Sequence, residues 1–155
     1  MFPLAIDICY GRRVVRRWVL AAPVTGENMS DTNKLLSAAL MIFGVIFCLI
    51  YPLSMFWPSG WAWHEGAPAS NDYFLMIVGI YATLGVFLIR AARNPAANAS
   101  LIWFTVWSSI VHAAVMGWEA MRSPAMGGHL MGDVPALILV AVVLGALMMK
   151  VQPAV

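Results

Sequence analysis

Four apolar stretches, near residues 35–56, 73–89, 99–118 and 134–149, contain no Asp, Glu, Lys or Arg at all. A helix crossing a hydrocarbon core about 30 Å thick needs about 17–25 mostly apolar residues. Three of the stretches meet that length, and the fourth, at 16 residues, reaches it by borrowing from its flanks. The charges between the stretches are sorted by side. Threading the chain back and forth puts Arg12, Arg13, Arg16, Arg17, Lys34, Arg90, Arg93 and Lys150 on one side. The other side holds Arg122 as its single cation, with Glu65, Asp72, Glu119 and Asp133. Because Lys and Arg near span ends favour the cytoplasmic side, the expected fold is an all-α integral membrane four-helix bundle with both termini in the cytoplasm.

Composition narrows the class further. The chain of 155 residues is 62% hydrophobic and 10% charged, whereas soluble domains carry about 25% charged residues. Backbone N–H and C=O groups in hydrocarbon need internal partners, which leaves helices or a closed barrel. The apolar runs are continuous rather than alternating, so the barrel pattern does not apply. Four helices of this length leave little room for a large enclosed cavity. Cys9 and Cys48 fall in the N-terminal extension and inside the first stretch, away from the oxidising side, so no structural disulfide is expected. No basic patch joins the aromatic and loop features of a nucleic-acid module, and nucleic acid is not an expected partner.

The chain divides into a cytoplasmic extension (1–33), a four-span region (34–150) and a short cytoplasmic tail (151–155). The extension carries Arg12-Arg13 and Arg16-Arg17, but the apolar run after Arg17 ends at Ala22, too short for a signal-peptide core. Residues 1–28 are expected to be a disordered tail, or to precede a true start at Met29. Pro52 is expected to kink or end the first helix, since it lacks an N–H and clashes with the preceding turn. Trp57, Trp61 and Trp63 suit the membrane–water interface. Asn71, Asp72 and Asp133 are helix N-cap types. Gly79, Thr83 and Gly85 in the second span, and Ser109, Ala113 and Gly117 in the third, form small-residue ridges on which helices could pack closely.

His112 is the clearly ionisable residue inside a span, about 9 Å from the Trp118 end of a regular helix. Thr105, Ser108 and Glu119 share its helical face, and Met116 lies beside them. Ionisable groups inside membranes face the bundle interior and mark function by default, yet a neutral imidazole also serves simply to hydrogen-bond neighbouring helices. His64, His112 and His129 all fall toward the outer half, as do Glu65, Glu119 and Asp133. These would be the ligands of a divalent metal if one were bound, but no His-x-x-x-His spacing supports one. Haem needs two axial ligands at similar depth, and His129 reads as nearer the surface than His112. A quinone needs less: a hydrogen bond from His112 or Ser108 and an aromatic wall drawn from Tyr81, Trp103, Phe104 and Trp107. Proton-coupled transport is disfavoured, because no Asp or Glu lies within a span. Arg122 is placed to pair with Glu119 at i, i+3.

The region from Tyr51 to Gly145 resembles bacterial four-helix membrane proteins of the BphX-like and DoxX-like kind. The resemblance rests on Trp57-Pro58-Ser59-Gly60-Trp61-Ala62-Trp63-His64, Gly79-Ile80-Tyr81-Ala82-Thr83-Leu84-Gly85 and Arg93-Asn94-Pro95. It continues through Leu101-Ile102-Trp103-Phe104, Trp107-Ser108-Ser109-Ile110-Val111-His112 and Gly128-His129-Leu130-Met131-Gly132-Asp133-Val134-Pro135-Ala136. It implies a small protein of the bacterial inner membrane, and through some DoxX-like relatives a quinone-linked redox partner. The leading expectation is a non-enzymatic accessory or interaction subunit, with the lipid bilayer around it and a second copy or a membrane subunit as partner. The alternative is a redox or ligand-binding protein, for a quinone or a divalent metal. Its outward-facing pocket would be formed by His112, Ser108, Glu119, His129 and Asp133.

Overall fold

The computed structural model describes residues 31–56 and 72–151. Residues 1–30 of the N-terminal extension, the Trp57–Trp63 cluster, His64, Glu65 and the last four residues lie outside the described residues. Within them the fold is all-helical: α1 (Asp31–Cys48), α2 (Ile50–Phe56), α3 (Asp72–Ala91), α4 (Ala99–Arg122) and α5 (Asp133–Lys150). Two short 3₁₀ segments, Ala96–Asn98 and Pro124–Leu130, lead into α4 and α5. Four of the helical segments are long and apolar enough to cross a membrane, and large apolar residues such as Phe87, Phe104, Trp107 and Val111 cover the outer surface.

The break between α1 and α2 has a local cause. Pro52 cannot donate to the Cys48 carbonyl four residues back, and its ring crowds that same group. The helix is interrupted at Leu49, whose N–H is shared between the Val45 and Ile46 carbonyls at 3.1 and 3.0 Å. It resumes as soon as Leu53 N–H reaches the Leu49 carbonyl at 2.9 Å. Pro52 therefore interrupts the first span without ending it.

The bundle is built from two tightly packed pairs, α1 with α3 and α4 with α5, joined mainly through α1 and α5. Gly44 and Gly85 set the first pair. A Cβ on Gly85 would lie 2.5 Å from the Gly44 carbonyl oxygen and 2.8 Å from Cys48 Sγ. A Cβ on Gly44 would lie 2.8 Å from the Gly85 carbonyl oxygen. The two backbones touch, as small residues permit between helices in lipid. Close by, the Cys48 thiol donates to the Ala82 carbonyl at 3.6 Å. Thr105, Ser109 and Ala113 of α4 are buried, as are Leu137, Val140, Ala141, Leu144 and Gly145 of α5. Gly79 and Thr83 of α3, by contrast, face outward, and a Cβ on Gly79 or Gly117 would meet nothing within 4 Å.

The two ends of the bundle differ. At the end carrying the Arg90–Asn94 turn, Leu36, Leu40, Leu88, Ile102 and Leu144 are fully buried and fill the centre. Among the described residues, a cavity opens at the opposite end, where α2 stops and α5 begins.

Candidate functional site

The cavity at this end has a volume of about 390 Å³ and is open to one side, within the size range of small-molecule sites. Phe43, Phe47 and Ile50 wall it on the α1–α2 side, Phe74 and Ile77 on α3, and Leu137 and Val140 on α5. Met116 and Met126 add flexible, polarisable surface. Against this apolar wall stand four polar side chains, Tyr81, His112, His129 and Asp133, and they are organised as two hydrogen-bonded pairs.

The first pair spans α3 and α4. Tyr81 Oη and His112 Nδ1 are 2.6 Å apart, although these two helices have the slenderest contact of any two long helices that follow one another in the chain. Tyr81 is held from the other side by Phe47, whose ring meets it edge-on with centroids 5.0 Å apart at 85°. The imidazole lies tilted against the phenol ring, centroids 5.8 Å apart. A phenol proton in apolar surroundings needs an acceptor, and Nδ1 is the one within reach. Tyr81 therefore donates to Nδ1, and the neutral imidazole carries its own proton on Nε2.

The second pair closes the entry to α5. His129 Nδ1 is 2.8 and 3.0 Å from the two oxygens of Asp133, and both side chains are largely shielded, at 8% and 13% exposed. An ionised carboxylate only accepts, so the imidazole donates from Nδ1. Asp133 is the first residue of α5 rather than its cap. Gly132, which has no side chain to cap with, takes the N-cap position, and the Asp133 carboxylate is turned back onto His129. All four side chains line the same cavity, which brings the two pairs together as one polar cluster.

The candidates singled out in the sequence therefore separate. His112, His129 and Asp133 share the cavity wall. Ser108 lies outside that wall and donates to the Thr105 carbonyl of its own helix at 3.2 Å. Glu119 also lies outside it, 3.9 Å from Arg122 one turn on. His129 is buried, with 6% of its surface exposed, and the 3₁₀ segment that carries it packs against α4 and α5. Tyr81 entered the sequence reading only as part of an aromatic wall and emerges as the partner of His112. Among the described residues no three of His, Cys, Asp and Glu converge as metal ligands. Trp103, Phe104 and Trp107 do not line the cavity, whose aromatic wall comes from Phe43, Phe47, Phe74 and Tyr81.

The fold and site define a four-helix protein of the kind able to span a membrane, with a polar cluster in an apolar cavity at one end. The chain belongs to the family of unknown function DUF6632, whose model matches residues 30–152. That match lends no support to a BphX-like or DoxX-like affiliation. Nothing among the curated proteins or the solved structures matches the chain.

Proposed function

We propose that this is a multi-pass protein of the bacterial inner membrane, with both termini cytoplasmic, that binds a small apolar molecule bearing a polar group. The supporting observation is the cavity: aromatic, aliphatic and Met side chains surround two hydrogen-bonded polar pairs within about 390 Å³. Such sites take an apolar body by shape and orient it through a few polar contacts. The orientation follows from the cations, since Lys34, Arg90, Arg93 and Lys150 all lie at the filled end and the cavity opens at the other. A quinone-type ring is one class of molecule with the required form. Redox chemistry is not needed for this reading.

The test is a native mass spectrum and an organic extract of gently solubilised protein, beside the Ala136→Trp variant. Ala136 lines the cavity and is exposed, so the indole enters that space without overpacking the core. A stoichiometric small molecule held by the wild type and lost in the variant supports the reading. Equal retention in both would refute it.

A second role as an accessory or interaction subunit is compatible with the first. Its supporting observation is the outward position of Gly79 and Thr83 on α3, a surface on which a second copy or another membrane subunit would seat closely.

A further inference from the structure

We infer that the cavity selects a neutral ring compound carrying a hydroxyl, the phenol class, over acceptor-only analogues; this rests on the cavity being a ligand site. The cavity histidines have unspent hydrogen-bonding capacity. Each cavity histidine uses Nδ1 on a protein partner, His112 with Tyr81 and His129 with Asp133. Neither Nε2 has a partner among the described residues, and neither is sealed among the buried polar atoms that lack one. Both rings line the same cavity.

The two free nitrogens are not equivalent. With Tyr81 donating to Nδ1, the His112 Nε2 offers an N–H. With Nδ1–H given to Asp133, the His129 Nε2 accepts when that ring is neutral and donates when it is charged. An ether or carbonyl oxygen serves His112 but leaves the neutral His129 unanswered. A hydroxyl serves both: its oxygen accepts from the His112 Nε2–H, and its proton goes to the Nε2 of the neutral His129. The aromatic wall of Phe43, Phe47 and Phe74 suits a ring behind that hydroxyl, since aromatic faces and edges pack favourably at this distance scale. Tyr81 and Asp133 are positioning residues here, each fixing which proton its histidine presents.

The experiment is calorimetric titration of the full chain in nanodiscs with para-hexylphenol and its methyl ether, para-hexylanisole. These differ by one hydroxyl proton and little in shape. The phenol is expected to bind about tenfold or more tightly, the factor associated with one unsatisfied buried hydrogen-bonding group. His129→Phe should erase that preference while para-hexylanisole still binds. Tyr81→Phe, which keeps the ring and frees the His112 tautomer, should reduce it if His129→Phe does not fold. Equal affinities for the two probes in the wild type would overturn the hydroxyl selectivity and leave the cavity as a ligand site. Binding of neither probe, with Ala136→Trp indistinguishable from wild type, would overturn both.

Discussion

Tyr81 and His112 stand 2.6 Å apart across the cavity end of α3 and α4, joining by one hydrogen bond two helices with little other contact. Hydrogen bonds between membrane helices contribute about 0.6 kcal/mol on average and up to about 1.7 kcal/mol. Tyr81→Phe should therefore cost no more than that in stability, measured by reversible unfolding in detergent. Its clearer signature is the imidazole itself. Nitrogen NMR of the wild type should show His112 protonated on Nε2, and Tyr81→Phe should yield a mixture of tautomers.

The Gly44–Gly85 crossing predicts a sharp asymmetry among glycines of one helix. Gly85→Ala puts a methyl against the Gly44 carbonyl and the Cys48 thiol and should destabilise by about 1–3 kcal/mol, as overpacking does. Gly79→Ala, on the same helix but in open space, should be neutral or slightly stabilising, because it removes the flexibility of glycine. Thermal melts of the two variants side by side check this.

His129 and Asp133 form a shielded pair. Asp133→Ala leaves the imidazole without its acceptor and should cost about 1–3 kcal/mol, the scale for one buried hydrogen-bonding group left unsatisfied. Replacing both members with Leu should recover much of that loss, since no unsatisfied polar group remains. A double-mutant cycle on unfolding free energies measures the difference.

Orientation is testable with single cysteines in a Cys9→Ala, Cys48→Ala background. Arg122→Cys should react with an impermeant maleimide added to intact spheroplasts. Arg93→Cys should react only after the membrane is opened. The reverse pattern would contradict cytoplasmic termini.

The helical fold was legible because lipid imposes a simple rule on sequence: long runs without charge, closed by polar residues. Pro52 showed its effect locally, since the damage a proline does lies within one turn. Glu119 and Arg122 are also local, and their i, i+3 spacing reads directly as the contact seen at 3.9 Å. The Tyr81–His112 bond was not legible. Its partners are 31 residues apart on different helices, and nothing in either local pattern specifies which faces meet. Gly44 went unnoticed for the same reason, being one small residue among many until α3 is laid against it. His129 and Asp133 are a different case. Their i, i+4 spacing was visible, but the Gly-rich stretch before α5 reads as a loop, and only its 3₁₀ fold turns His129 inward.

The most direct test of the cavity as a binding site is photocrosslinking in native membranes with a diazirine-bearing alkylphenol, followed by peptide mapping. The account predicts adducts concentrated on the peptides holding Phe74–Tyr81 and Met126–Val140, suppressed by excess para-hexylphenol and absent in Ala136→Trp. Adducts spread over outward residues such as Phe104, Trp107 and Val111, with no competition by the unlabelled phenol, would contradict it.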